Sequence, residues 1–131
     1  MKHYSCTDLA GVPDFRAAEY SEKSSDYCLL IPVINEGARI LTELGRARKA
    51  GIDRLCDIVV CDGGSTDGSM SNDILPTYGV NTLLVKTGPG KQGAQLRMGL
   101  YFALQRGYKG VLTIDGNNKD SIEDVPEFIE K

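Results

Sequence analysis

Asp62, Gly63, Gly64, Ser65, Thr66 and Asp67 follow the apolar run Asp57-Ile58-Val59-Val60-Cys61 without a break. The run reads as a buried strand, and the turn after it offers a carboxylate, hydroxyls and bare backbone at one point. Ligands of open α/β sheets sit where strands end and loops begin. The two glycines let a ligand approach the main chain closely. Asp62 can accept from a base N–H or a ribose hydroxyl, so the chemistry on offer is nucleotide recognition. The competing reading is a tight turn in which Ser65 or Thr66 caps the next helix.

Three further loops carry chemistry of the same kind. Pro32-Val33-Ile34-Asn35-Glu36 ends an apolar run, and it also suits a plain strand end with Asn as helix cap and Glu against the helix dipole. Thr87-Gly88-Pro89-Gly90-Lys91-Gln92-Gly93 satisfies G-x-G-x-x-G between a strand and a helix, with Asp115 at the end of the next strand. That pattern alone is a dinucleotide-binding fingerprint. The same loop, with Lys91 as a point charge, equally suits a diphosphate. Asp115-Gly116-Asn117-Asn118-Lys119-Asp120 follows Val111-Leu112-Thr113-Ile114 and spaces oxygen donors as a hard cation such as Mg²⁺ or Mn²⁺ requires. Its bland reading is an Asx turn.

These loops need a scaffold, and apolar periodicity supplies one. Tyr27–Ile34, Asp57–Cys61, Val80–Lys86 and Gly110–Ile114 read as strands. Between them, Glu36–Ala50 carries Ile40, Leu41, Leu44 and Ala47 at helical spacing, with Gly51 as its stop. Thr66–Leu75 reads as a short helix closed by Pro76. Gln92–Gln105 is a stronger one, with Ala94, Leu96, Met98, Leu100, Tyr101 and Leu104 on its apolar face. Ser121–Glu130 reads as a last helix. Alternating strands and helices predict an α/β fold with a mostly parallel sheet and helices on both faces. Residues 1–26 are polar and aperiodic and read as an N-terminal arm with one short helix near Phe15–Tyr20. The sheet domain spans 27–131.

Bulk properties narrow the function classes. The chain has 131 residues, enough for one domain, and its net charge of −3 gives no basic field for nucleic acid. No apolar run reaches the roughly 18 residues of a membrane span, and the first residues lack the apolar stretch of a signal peptide. The simplest reading is a cytoplasmic protein. The four cysteines, Cys6, Cys28, Cys56 and Cys61, match no paired metal motif, and Cys28 and Cys61 read as buried free thiols.

Taken together, the loops resemble the family 2 glycosyltransferases of the GT-A fold from about Tyr27 onward. Ile31-Pro32-Val33-Ile34-Asn35-Glu36 looks like the family's first-strand motif, and Asp62-Gly63-Gly64-Ser65-Thr66-Asp67 like its second-strand turn. Gly90–Gly99 is similar to its helix start, and Asp115-Gly116-Asn117 stands in the place of its Asp-x-Asp metal motif. Ser121-Ile122-Glu123-Asp124-Val125-Pro126 resembles the segment that follows in dolichyl-phosphate mannose synthase-like members.

The resemblance implies a Rossmann-like GT-A nucleotide-binding sheet and a donor site for a UDP- or GDP-linked sugar. Pro32, Asn35, Glu36, Asp62, Gly64, Lys91 and Asp115 would bind the nucleotide sugar, with Pro32, Glu36 and Asp62 at the base and ribose and Lys91 near the diphosphate, and Asp115 with Asn117 would hold the metal. The acceptor is a hydroxyl or a phosphate. A lipid phosphate would make the protein peripheral to a membrane. Asn117 departs from the family's Asp and brings no charge, with Asp120 as a candidate substitute. The chain stops at Lys131, before the family's acceptor half, and no residue matches its catalytic base. The expectation is thus the donor-binding half of a longer enzyme, inactive alone. The alternatives are a nicotinamide dinucleotide-binding domain built on Gly88–Gly93, or a non-catalytic module that self-associates through an open sheet edge.

Overall fold

A computed structural model describes residues 2–4, 14–34, 38–63, 74–87 and 92–114. In chain order its elements are β1 (Lys2–Tyr4), β2 (Phe15–Glu19), β3 (Tyr27–Val33), α1 (Ala38–Lys49) and α2 (Ile52–Leu55). They continue with β4 (Asp57–Asp62), a 3-10 turn (Leu75–Tyr78), β5 (Val80–Lys86), α3 (Gln92–Arg106) and β6 (Gly110–Thr113). The six strands form one sheet in the order β1-β2-β5-β4-β3-β6. β5, β4, β3 and β6 are mutually parallel, and β1 and β2 add antiparallel pairs beyond β5.

The parallel strands are buried because helices cover both faces. Side chains alternate across a strand, and the core divides accordingly. Leu29, Ile31 and Val33 of β3 and Ile58 and Val60 of β4 pack with Ile40, Leu44 and Ala47 of α1. Cys28 and Leu30 of β3 and Val59 and Cys61 of β4 pack with Met98, Phe102 and Ala103 of α3. The apolar spacing expected for the first helix is the one that turns inward. Gly51 stops α1 in a left-handed conformation, φ 77°. α3 ends on Gly107, φ 78°. There Tyr108 N–H donates to Ala103 O at 3.1 Å and Gly107 N–H to Leu104 O at 3.1 Å, the pairing of a Schellman cap.

Three expectations need correction. The segment near Phe15 is a strand, not a helix: Phe15–Glu19 pairs antiparallel with Lys86–Thr82 of β5. Phe15, Ala17 and Ala18 turn into the core, so the sheet extends to the N-terminal side of Tyr27. Pro76 lies inside the 3-10 segment Leu75–Tyr78, in its first turn, rather than just beyond a helix ending at Leu75, and its missing N–H there has no partner to lose. On α3 the buried stripe is Ala94, Gln95, Met98, Gly99, Phe102 and Ala103, while Leu100 and Leu104 face outward at 44% and 76% exposure. The helix expected over Thr66–Leu75 lies outside the described residues except at its end, and that over Ser121–Glu130 lies wholly outside them.

Candidate functional site

The parallel strands bring four loop starts to one edge. β3 ends at Val33, β4 at Asp62, β5 at Lys86 and β6 at Thr113. The chain leaves β3 in both directions: β4 and then β5 lie on one side, and β6 lies on the other. That reversal is a topological switch point, the place where such sheets take ligands.

Pro32 fits its place there. Ile114 N–H donates to Leu30 O at 3.1 Å, so alternate residues of β3 face β6. The last β3–β6 pair is Leu30 with Thr113. Pro32 therefore lies two residues beyond the end of that ladder, and its missing N–H forfeits no sheet bond.

Asp62 is the last residue of β4, 2% exposed, with Val33 of β3 and Val85 of β5 as its neighbours in register. The carboxylate is therefore buried at the end of a central strand, where the loop begins. Gly63 follows, and its N–H donates to Val33 O at 2.8 Å. Of the expected site residues, Pro32 and Asp62 are described, on adjacent strands. Asn35, Glu36, Gly64, Lys91, Asp115 and Asn117 lie outside the described residues. Among the described residues no group of acidic, histidine or cysteine side chains could hold a metal.

A polar side chain that sequence reasoning passed over also belongs to this edge. Gln95 of α3 is 4% exposed, and its Nε2 donates to Val33 O at 2.7 Å and to Cys61 O at 2.8 Å. Its signal was a polar residue inside the buried stripe of a helix.

The strand order also bears on the dinucleotide reading. In that fingerprint the acidic residue ends the strand next to the glycine-loop strand. Here the glycine loop follows β5, and Asp115 follows β6, three strand positions away. At about 4.8 Å per strand the two loop origins are roughly 14 Å apart. The fingerprint spacing is present in the sequence, but the topology separates its halves.

The opposite edge of the sheet is polar and already satisfied. Asp57, at the start of β4, accepts from Ser24 Oγ at 2.6 Å, Ser24 N–H at 2.9 Å and Tyr108 O–H at 2.6 Å. Burial and the bond to Asp57 push the Tyr108 phenol up from its ordinary value. Arg106 donates to Glu19 Oε1, the Ser21 backbone O, Asn81 Oδ1 and the Tyr108 phenolic oxygen. Burial opposes its charge, but the bonds to Tyr108 and Glu19 outweigh that and raise its pKa. A cleft of about 300 Å³ lined by Tyr20, Ser24, Arg48, Asp57 and Asn81 opens beside this network. It lies at the N-terminal ends of the strands, away from the switch point. Cys28 and Cys61 are buried free thiols, as expected, and Cys56 is buried with its Sγ donating to Ile52 O. Burial, with Asp57 nearby, pushes Cys28 up to about 12.

No family model and no curated protein matches the sequence. Among solved structures the chain is similar to TarS of S. aureus, a family 2-type glycosyltransferase, with 26% identity and a TM-score of 0.53. The match covers 79% of this chain and 19% of TarS, so the chain spans about a fifth of that protein's length. It supports a glycosyltransferase-like fold and does not reach the narrower likeness to dolichyl-phosphate mannose synthase. The chain thus carries a mixed α/β, Rossmann-like glycosyltransferase fold.

Proposed function

We propose that this chain forms the nucleotide-binding part of a glycosyltransferase that draws on a nucleotide-diphosphate sugar and a divalent cation. The observation that carries the reading is the strand order. β4, β3 and β6 lie side by side. Asp62, the segment 32–36 and the segment 115–117 end or directly follow these three strands in the sequence. The likeness to TarS supports the same reading.

In this reading Pro32, Asn35, Glu36, Asp62 and Gly64 meet the base and ribose, and Lys91 faces the diphosphate. An ionised Asp62 is an acceptor only, so it selects N–H or O–H groups of the nucleoside. Asp115 and Asn117 would hold Mg²⁺ or Mn²⁺, and an all-oxygen donor set suits either ion. When bound, the cation would offset charge developing on the departing diphosphate. Asn117 supplies a neutral oxygen, so the ion should bind less tightly than it would to two carboxylates. The acceptor is a hydroxyl or a phosphate. The resemblance of Ser121–Pro126 favours a lipid phosphate, which would bring the protein to a membrane surface from the cytoplasmic side. Among the described residues β6 is an edge strand, and in this reading such an edge would offer a second copy of the chain a place to pair.

Calorimetric titration with UDP- and GDP-sugars, with and without Mn²⁺, tests the reading. One nucleotide should bind, more tightly with Mn²⁺. Asp62→Ala should weaken binding by about tenfold or more, as expected for a lost bond to a charged group. Asp115→Ala should remove the Mn²⁺ dependence and leave the remaining nucleoside affinity. No binding by any donor, with or without Mn²⁺, would defeat the proposal.

A further inference from the structure

The C-terminal ends of β3 and β4 are joined through one side chain. Gln95 places its Nε2 at 2.7 Å from Val33 O and 2.8 Å from Cys61 O. An amide nitrogen has two N–H donors, so both are used. Val33 O also accepts from Gly63 N–H at 2.8 Å, which fills its two lone pairs. Gly63 lies directly against the same amide: a Cβ there would come within 3.0 Å of Gln95 Cδ and Oε1. Backbone groups of residues 33, 61 and 63 thus meet at one buried side chain.

Packing alone does not call for an amide here. The neighbours of Gln95 along the stripe, Ala94, Met98, Phe102 and Ala103, are apolar. A buried amide is unfavourable unless it is hydrogen-bonded, so its presence here points to the bonds it makes. Those bonds lie where the sheet ladder gives out and adjacent strands become free to diverge.

We propose that Gln95 is a positioning residue: it sets the spacing of the β3 and β4 ends and so holds the Pro32 and Asp62–Gly63 main chain in the geometry that receives the nucleoside. The inference rests on the nucleotide-binding reading of this edge. Gln95 itself need not touch the ligand. Its effect reaches the site through Val33 O, Cys61 O and the turn at Gly63.

The test combines a readout that needs no ligand with one that does. Amide hydrogen exchange at Gly63 is measured by NMR in wild type, Gln95→Leu, the volume-matched Gln95→Met, and Met98→Leu as a core control on the same helix. Affinity for the nucleotide-diphosphate sugar bound by wild type is measured by calorimetry, well below each variant's melting temperature. Loss of the two bonds should speed Gly63 exchange by about tenfold or more and weaken binding by a similar factor in Gln95→Leu and Gln95→Met. Met98→Leu should change neither. If Gln95→Leu does not fold, Gln95→Met carries the comparison. Gly63 exchange unchanged in the folded Gln95 variants overturns the positioning role, whatever the ligand result. Faster exchange with unchanged affinity also overturns it, and leaves Gln95 a structural clamp. A wild-type protein that binds no donor overturns the nucleotide reading, and the positioning role with it, whereas Gly63 exchange still reports whether Gln95 holds the turn.

Discussion

Asp62 and Cys28 sit on neighbouring strands and mark the two ways a residue was readable. The strand-end place of Asp62 was legible because the apolar run before it gives way there to a glycine-rich turn. Cys28 was legible as a small apolar residue in a buried run. Its burial carries a pH consequence. The folded state holds the Cys28 thiol at about 12, against an ordinary 9.0. From about pH 9 the unfolded chain loses this proton while the folded chain keeps it. Its contribution to stability is therefore full below pH 9 and falls as pH rises towards 12. Tyr108, also raised, acts with the same sign. Melting temperatures followed from neutral to about pH 11 should decline less steeply in Cys28→Ala than in wild type. Parallel curves would refute the assignment. Gln95 was not legible in the same way, because its role depends on two carbonyls brought together from β3 and β4.

At the scale of elements, the four parallel strands were legible almost to the residue, while β1, β2 and the helix faces were not. Short continuous apolar runs bounded by turn residues leave little freedom of interpretation. A helix with apolar residues all round does not declare which side faces the sheet, and α3 is such a helix. Its true inner face includes Gly99, where a Cβ would stand 2.7 Å from Cys61 Sγ and 2.9 Å from Leu30 Cδ1. Close approach of α3 to β3 and β4 thus depends on the missing side chain. Helix propensity favours alanine over glycine by about 1 kcal/mol. Overpacking a core opposes it with about 1–3 kcal/mol. Gly99→Ala should therefore be net destabilising in urea denaturation, and Gly99→Val more so. On the outer face, Leu104→Lys should change stability by no more than about 0.5 kcal/mol. A large loss there would mean that this face is covered.

At the scale of the molecule, the N-terminal region proves integral to the sheet. Phe15 is fully buried and meets Tyr101 of α3 edge-on, with ring centroids 6.2 Å apart. Phe15→Ala should lower unfolding free energy by about 3–5 kcal/mol, far more than an appended arm could transmit. Arg106 ties the same region to the end of α3 through Glu19 and Ser21 O, and to β5 through Asn81. Arg106→Met keeps the aliphatic length and removes these bonds. A loss of about 1.5–3 kcal/mol is expected by chemical denaturation. A double-mutant cycle with Glu19→Gln should return under about 1 kcal/mol, because Glu19 is a third exposed.

The sequence by itself determined the parallel α/β core, its four strands, two of its helices, the buried thiols and the strand-end placement of Pro32 and Asp62. These follow from local periodicity and from turn residues, which act over a few positions. Only the tertiary structure decided the strand order, and with it the separation of the Gly88–Gly93 loop from the β6 end. It alone placed β1 and β2 in the sheet, chose the inner face of α3 and brought Gln95 under the β3 and β4 ends. Each of these depends on which distant segments meet, and pairing between distant segments leaves no periodic trace in the chain.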